Sequence, residues 1–356
     1  MPLRISPQAT RTGFHIALLH CRMTDSPPNA SQPRAPRFVQ LHHEDHAAVR
    51  EELVRGLLAP AAFTSPKYLY DALGSRLFDA ITELPEYYPT RTEAAIFAAH
   101  ATDMATRLPA GATLVDLGAG NCKKAAGLFE TFRPARYVAI DISVDYLREA
   151  LAGLQRQHPG LDMVGVGMDF SQSLTLPPEA RAQGDTNPCV LFYPGSSIGN
   201  FTPGEALTLL RQARAACAQG GAGGGLLIGV DLVKAAGVLE PAYDDALGVT
   251  AAFNRNLLLH VNRLTGADFR VADWQHVALF NATASRIEMH LEARSPVTVR
   301  WPGGQRAFAA GERIHTENSY KWLQPDFDAL LRTAGFGASR VWTDAHGWFA
   351  VFWAPA

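Results

Sequence analysis

Five short apolar segments that alternate with helical stretches constrain the fold of this chain more than any other feature of its sequence. They are rich in β-branched residues and cover 113–117, 137–140, 163–166, 190–193 and 226–230. Short buried strands that alternate with helices form a parallel sheet with right-handed crossovers. Two further strands, at 340–343 and 348–353, predict a terminal antiparallel pair. The sequence therefore predicts an α/β fold with a Rossmann-like sheet.

Other segments predict a second, smaller set of elements around this sheet. Helices are predicted at 44–58, 75–84, 90–108, 243–262 and 327–334, and short strands joined by turns at 276–314. Thr90 and Glu93 have the spacing of a capping box at the start of the third helix.

These elements predict two domains and a leader. We expect 92–230 with 320–356 to bind a cofactor, and 41–91 with 231–319 to form an α+β substrate domain. Residues 1–40, in which prolines lie among Ser, Asn, Gln and Arg, predict a disordered leader. The alternative is a start-site artefact, with Met23 as the first residue of the protein.

Composition excludes several classes of partner. The formal net charge is −2, whereas dedicated nucleic-acid binders are usually strongly basic. No apolar run reaches the roughly 18 residues of a membrane span. The four cysteines form no CxxC pair, and the 12 histidines show no metal-ligand spacing. We therefore expect a cytoplasmic monomer that binds no metal, membrane or nucleic acid.

The first predicted strand ends in a glycine-rich turn that includes Gly118 and Gly120. Glycines allow a tight turn and a close approach of a ligand to the backbone. The third glycine of the dinucleotide fingerprint is replaced by Lys123, which disfavours a cofactor with a pyrophosphate. Asp141 follows the second strand, 21 residues after Gly120, where a carboxylate can accept hydrogen bonds from ribose hydroxyls.

Asp169 and Phe170 end the third strand, and their types suit an adenine. The acid can accept from the exocyclic amine, and the ring can pack on the base. Together with the turn and Asp141, this pair resembles the class I S-adenosylmethionine methyltransferases. A nicotinamide-type Rossmann domain, or a glycine pair used only as a tight turn, is the alternative.

Longer motifs resemble one family, the histidine-specific Nα-methyltransferases of ergothioneine biosynthesis. The matching segments cover 65–71, 74–79, 84–91, 195–200, 231–234, 242–245, 248–250, 253–254 and 316–319. The resemblance extends from about residue 41 to the end of the chain and implies three methyl transfers from S-adenosylmethionine to the α-amino group of L-histidine. It assigns Gly118, Lys124, Asp141, Asp169 and Phe170 to the cofactor. It assigns Tyr87, Asn200, Tyr243, Glu317 and Ser319 to the substrate.

The chemistry of these acceptor residues suits a free amino acid. Asn200 and Tyr243 can donate hydrogen bonds to a carboxylate. Glu317 and Ser319 are two residues apart, so on an extended segment they face the same side and can hold the two imidazole nitrogens.

Aromatic and apolar side chains complete the predicted acceptor pocket. Tyr70 and Tyr87 offer ring faces to a growing quaternary ammonium, and Tyr70 is predicted to orient the amine in catalysis. Relatives in this family methylate other amino acids, including a prenylated tryptophan. Glu317, and Met289 at the expected pocket wall, favour histidine.

Each residue also has a plainer interpretation. The tyrosines can be ordinary half-buried side chains, Glu317 a surface acid beside Lys321, and Asn200 a turn residue or helix cap. His260, His290 and His315 are interpreted as structural. As functions of the whole chain, a non-catalytic S-adenosylmethionine or amino-acid sensor, and a methyltransferase for another amino acid, remain alternatives. Nucleic-acid methylation would need an Asn-Pro-Pro-Tyr type motif, where this chain has 194–197 as Pro-Gly-Ser-Ser.

Overall fold

A computed structural model of the chain describes residues 34–41, 45–180 and 187–356. Residues 34–356 form one compact unit. The strands are β1 Arg37–Gln40, β2 Ala62–Phe63, β3 Thr113–Leu117, β4 Arg136–Asp141, β5 Asp162–Gly167, β6 Pro188–Tyr193, β7 Gly221–Asp231, β8 Trp274–Asn281, β9 Arg286–Ala293, β10 Val297–Trp301, β11 Gly304–Phe308, β12 Arg313–Tyr320, β13 Arg340–Thr343 and β14 Phe349–Pro355. The α-helices are α1 His46–Leu58, α2 Ala72–Thr82, α3 Tyr88–Arg107, α4 Lys123–Ala126, α5 Phe129–Phe132, α6 Val144–Gln157, α7 Pro203–Ala218, α8 Ala236–Leu239, α9 Val249–Thr265 and α10 Gln324–Thr333.

The central sheet has the strand order β1-β5-β4-β3-β6-β7-β14-β13. The five predicted parallel strands are β3 to β7, and β14 runs antiparallel between β7 and β13. Two apolar cores lie against this sheet. One includes Val115, Ile140 and Val166, and the other Leu114, Ala139 and Met163, because successive strand residues point to opposite faces. The predicted class I methyltransferase fold is confirmed.

A second sheet, with the order β2-β12-β9-β8, carries its own apolar core. Along β9, Ile287, Met289, Leu291 and Ala293 are buried while the residues between them are partly exposed. The buried face joins apolar residues of α1, α2 and α9 in one core. This sheet brings the middle of the sequence together with the helices near its beginning.

The structure differs from the prediction at residues 37–40, the last residues of the predicted disordered leader. Residues 1–33 lie outside the described part of the chain, but Arg37–Gln40 forms β1, which pairs in parallel with β5. Phe38 packs where Gly165 has no side chain, since a Cβ on that glycine would lie 2.5 Å from the Phe38 ring. Arg37 also pairs with Asp162 at 3.2 Å. A four-residue edge strand in a Pro-rich context has too short a pattern to be recognised.

The helix predicted at 243–262 begins later, at Val249. Asp245 accepts hydrogen bonds from the backbone N–H groups of Val249 and Thr250, at 2.9 and 2.7 Å. Gly248 precedes the helix with a φ of +75°, a conformation that favours glycine. The loop that results leaves Tyr243 outside the helix.

The capping box predicted at Thr90 and Glu93 is wrong. The helix α3 begins at Tyr88, and its cap residue Tyr87 makes no side-chain capping bond. Pro89 fits the first turn of a helix, where no backbone N–H is needed, and so the helix starts earlier. Glu93 is 1% exposed and turns inward.

No helix in the described residues is long and apolar enough to cross a membrane. Within the same residues, no group of three or more His, Cys, Asp or Glu side chains is placed to hold a metal ion.

Gly229 of β7 offers a test of how closely the sheet packs on α3. A Cβ at this position would lie 2.1 Å from Glu93 Oε1 and 3.0 Å from the Phe349 ring. We expect Gly229→Ala to lower the free energy of unfolding by about 1–3 kcal/mol, the usual cost of overpacking. Gly204→Ala in α7 is the control, because its Cβ would meet nothing within 4 Å. Urea unfolding of both variants measures the difference, and equal stabilities would contradict the packing.

Candidate active site

The glycine-rich turn after β3 lies at the carboxyl edge of the sheet. Gly118 and Gly120 have φ values of +70° and +51°, so both positions favour glycine. The space beside Gly120 is open, since a Cβ there would meet nothing within 4 Å. Asn121 donates to Asp79 Oδ1 at 2.9 Å, which fixes the turn to α2. The turn is thus held in shape while one side stays open.

Asp141, at the end of β4, faces this turn. Its carboxylate accepts from the backbone N–H of Gly120 at 2.9 Å and of Ser143 at 2.8 Å. Burial raises the pKa of Asp141 above its ordinary value, and these backbone donors oppose the rise. A carboxylate at this position can also accept hydrogen bonds from the hydroxyl groups of a ligand.

Asp169 and Phe170 follow β5 on the same edge. Asp169 accepts from Gln172 Nε2 at 3.0 Å and lies 3.8 Å from the Lys67 ammonium. Phe170 packs edge-on against Tyr193 at 5.7 Å, and its ring lies 3.9 Å from where a Cβ on Gly118 would be. An aromatic ring therefore lies beside the glycine turn, as an adenine site requires.

Lys124 lies beyond the turn and bonds to Glu93, a residue of α3 that was predicted to cap the helix. Its ammonium donates to Glu93 Oε2 at 2.7 Å, and Glu93 Oε1 accepts from the N–H of Gly195 at 2.7 Å. The carboxylate of Glu93 therefore joins the glycine-rich region to the loop after β6.

A cavity beside this loop brings together all seven residues predicted for the acceptor site. These are Tyr70, Tyr87, Asn200, Tyr243, Met289, Glu317 and Ser319. The remaining lining residues are Phe78, Ile81, Gly195, Ser196, Ser197, Ala242, Thr250 and Phe253. Gly195 also touches Lys124, since a Cβ on it would lie 2.8 Å from the ammonium. The acceptor cavity and the glycine-rich region therefore meet at Gly195.

Glu317 is the most unusual group in the cavity. It lies on β12, is 7% exposed, and its Oε2 atom is buried with no hydrogen-bond partner. Burial raises the pKa of Glu317 to about 8, although Lys321 opposes the rise. The interpretation of Glu317 as a surface acid is therefore wrong, and an unpaired buried oxygen of this kind fits a ligand N–H.

Ser319 faces the same side of β12 and belongs to a hydrogen-bonded group. Its hydroxyl lies 2.7 Å from the hydroxyl of Tyr243. The ammonium of Lys321 donates to Ser319 at 2.7 Å, to Tyr243 at 2.9 Å and to Asp231 at 2.7 Å. Glu317 and Ser319, two residues apart on β12, therefore both face the cavity.

Part of the cavity wall is aromatic and consists of Tyr70, Phe78, Tyr87, Tyr243 and Phe253. The Tyr70 ring meets the rings of Phe78 and Phe253 edge-on, at 5.6 and 5.5 Å, and Tyr87 meets Tyr243 at 6.2 Å. Burial, with Glu317 nearby, raises the pKa of Tyr70 well above 10. Tyr70 therefore remains a neutral phenol at neutral pH.

Asn200 ends a short 3₁₀ helix at Ser197–Asn200 and does not cap the next helix. The cap of α7 is Thr202, which forms a capping box with Glu205. His260, His290 and His315 are absent from the cavity wall. His290 and His315 contact each other at 5.1 Å, and His260 Nδ1 lies 2.8 Å from the carbonyl of Tyr68.

A family model matches most of the chain. The model, described as histidine-specific and SAM-dependent methyltransferases, matches residues 49–356. This chain belongs to that family. The finding excludes a nicotinamide-type Rossmann protein.

Relatives of this family member are similar over most of its length. A histidine N-alpha-methyltransferase of Mycolicibacterium smegmatis is 40% identical over 310 residues, which cover 85% of this chain and 94% of that protein. Another, of Mycobacterium tuberculosis, is 39% identical and covers 86% and 94%. Ergothioneine biosynthesis protein 1 of Neurospora crassa is 31% identical over 77% of this chain and 31% of its own length.

Glu93 and Lys321 are the residues of this methyltransferase site that sequence analysis missed. The spacing of Thr90 and Glu93 predicts a helix cap, and Lys321 stands out in the sequence only as a neighbour of Glu317. Both are charged and nearly fully buried, at 1% and 3% exposure. For Lys321, its position in line with Glu317 and Ser319 on an extended segment was an available signal.

The raised pKa of Glu317 predicts a cost to stability. The unfolded chain loses the Glu317 proton near pH 4.5, but the folded chain holds it to about pH 8, so the fold loses stability as pH rises between these values. Glu317→Gln removes this loss. We expect its free energy of unfolding, relative to wild type, to rise by a few kcal/mol (order of magnitude) from about pH 5 to about pH 9.

Glu292 on β9 is the matched control. Its pKa is lowered below the ordinary 4.5 by hydrogen bonds from Arg313 and Gln275, so the folded and unfolded chains have both lost this proton above about pH 5, and the Glu292→Gln difference should stay flat between the two pH values. Urea unfolding at both pH values measures each difference. A Glu317→Gln difference that stays flat with pH would show that the carboxyl is not held protonated by burial.

Proposed function

We propose that this chain transfers methyl groups from S-adenosylmethionine to the α-amino group of L-histidine, three times in succession, to give the trimethyl betaine. The single observation that carries the proposal is the buried, unpartnered Oε2 of Glu317 in the acceptor cavity. An imidazole N–H would satisfy it, whereas a plain apolar side chain would leave it unpaired. The names of the two mycobacterial relatives agree with this substrate.

The residues at the sheet edge fit S-adenosylmethionine. The open space beside Gly120 admits a ligand to the backbone, and the carboxylate of Asp141 beside it suits ribose hydroxyls. Phe170 and Asp169 would hold the adenine, while Gly118 and Lys124 would complete the site. When bound, the sulfonium supplies the electrophilic methyl group.

The chain's own residues then orient the acceptor. Glu317 and Ser319 would hold the imidazole, and Asn200 and Tyr243 the carboxylate. Tyr87 and Met289 would close the walls around the side chain and amine. With both ends of the amino acid held, its nitrogen is directed at one point, and such positioning supplies much of the rate in a displacement reaction.

The amine must be uncharged to react, and each transfer therefore requires that a proton leaves. No histidine or lysine lines the cavity, and Tyr70 is too weak an acid to serve as a phenolate. We propose that Tyr70 orients the neutral amine through its hydroxyl and passes the proton to water, and that no strong base takes part.

The apolar cores favour a division of the chain into a part for the cofactor and a part for the substrate. We propose that 92–230 with 320–356 hold the cofactor, and that 41–91 with 231–319 form the substrate domain. The core shared by α1, α2, α9 and the smaller sheet supports this division. We also propose a monomer in the cytoplasm.

Mass spectrometry tests the function and its specificity. The purified chain, incubated with S-adenosylmethionine and each of the twenty amino acids, should give mono-, di- and trimethylated products from histidine alone. Glu317→Ala should weaken histidine binding by about 1–3 kcal/mol. Glu292→Ala, on the opposite face of the sheet, should leave it unchanged. A sensor would bind both ligands without product, and another methylated amino acid would overturn the substrate assignment.

Tyr70→Phe tests the role of the hydroxyl. The variant keeps the ring contacts with Phe78 and Phe253 and should therefore bind histidine with nearly wild-type affinity. We expect its methylation rate to fall by about tenfold or more, in the range for losing a group that assists proton transfer. Single-turnover rates over a range of pH measure the effect. A wild-type rate at every pH would remove Tyr70 from the mechanism.

A further inference from the structure

Lys321 lies directly behind the wall of the acceptor cavity and does not line it. Its side chain has 0% exposure. An ammonium has three N–H groups and no acceptor, and all three of these have partners: Asp231 Oδ2, the Tyr243 hydroxyl and the Ser319 hydroxyl. Lys321 is therefore the donor in all three bonds, and Asp231, Tyr243 and Ser319 are the acceptors.

Those roles restrict the two hydroxyl groups that do line the cavity. Tyr243 and Ser319 must each use an oxygen lone pair to accept from Lys321. Their own oxygens lie 2.7 Å apart, so one of their two protons occupies the bond between them. A single proton is left, and it has no acceptor among the described residues of the protein.

We propose that Lys321 is a positioning residue of the acceptor site, which orients the hydroxyls of Tyr243 and Ser319 so that the pair presents one proton to the substrate. This proposal rests on the proposed function. A bound molecule meets one hydroxyl donor at this wall and not two, beside the carboxyl group of Glu317, whose unpaired oxygen can accept an N–H. The wall therefore suits a ligand that offers both an acceptor atom and an N–H, as a neutral imidazole amino acid does.

Lys234 provides a matched comparison within the same cluster. Its ammonium also bonds to Asp231, at 2.5 Å, and to the Tyr88 hydroxyl at 2.9 Å. Its side chain is nearly as buried, at 4% exposure. No contact to Tyr243 or Ser319 is recorded for it. Loss of Lys234 thus removes a similar charge from Asp231 without removing a donor from the hydroxyl pair.

Calorimetry with L-histidine, in the presence of S-adenosylhomocysteine to prevent turnover, tests the proposal on the full chain. We expect Lys321→Met to weaken histidine binding by about tenfold or more, the range for hydrogen bonds to a charged group. In a Tyr243→Phe, Ser319→Ala background the same change should cost less than about threefold. An equal loss in both backgrounds would mean that Lys321 does not act through the hydroxyls, and would overturn the proposal.

Two further measurements separate positioning from a general effect. Lys234→Met should weaken histidine binding much less than Lys321→Met, and a loss of equal size would assign the effect to charge or packing. The affinity for S-adenosylhomocysteine should stay within about twofold in both variants, since a folded cofactor site does not depend on the hydroxyl pair. If wild type itself binds no histidine, the proposed function fails instead, and the two failures are distinct.

A second set of variants applies if Lys321→Met does not fold. Tyr243→Phe and Ser319→Ala each leave one hydroxyl that accepts from Lys321 and keeps a proton for the ligand. Each single variant should therefore weaken histidine binding less than the loss of one hydrogen-bond donor would. The double variant should weaken histidine binding by a factor larger than the product of the two single-variant factors. If the factor for the double variant equals the product of the two single-variant factors, the two hydroxyls are independent donors and the proposal is overturned.

Discussion

The buried carboxylate of Asp231 is the interaction on which the arrangement of the site depends. It ends β7, the last parallel strand, and binds Lys321, Lys234 and the Tyr88 hydroxyl, the last at 2.6 Å. Burial alone would raise the pKa of Asp231, but the two lysines outweigh it, and the pKa is lowered. An isolated buried charge costs several kcal/mol, so these segments are stable only together. One carboxylate thus connects the sheet, the start of α3 and the end of β12.

Glu93 makes a comparable connection on the other side of the acceptor cavity. It joins Lys124, next to the glycine turn, to the backbone of Gly195 in the cavity wall. Movement of the glycine-rich region relative to the cavity wall would break both hydrogen bonds of a carboxylate that is itself nearly fully buried. The two halves of the site are therefore held in a fixed relation, which an in-line displacement between two bound molecules requires.

The sequence predicted the strands well, because a buried strand carries its signal within a few neighbouring residues. The same holds for the glycine turn and for Glu317 with Ser319 on one face of a strand. Glu93 and Lys321 were missed because their partners are far along the chain: Gly195 is 102 residues from Glu93, and Asp231 is 90 from Lys321. Local spacing even misled at Glu93, where a capping pattern coincided with a buried ion pair. The start of α9 was missed for a different reason: Asp245, three residues before the cap residue Gly248, accepts the hydrogen bonds of the first helical N–H groups.

The order of the cavity wall along the chain has a consequence for synthesis of the protein. Residues 70–87 are made early, 195–200 and 243–253 later, and 317–319 close to the end. The strand β14 that completes the large sheet is the last element of all, and it inserts between two strands already made. A nascent chain therefore contains the glycine-rich turn, Asp141 and Asp169 long before it contains Glu317 and Ser319. The cavity wall is complete only when this late segment has been made and has paired with β2 and β9, so a chain that stops before residue 317 lacks both of these polar groups.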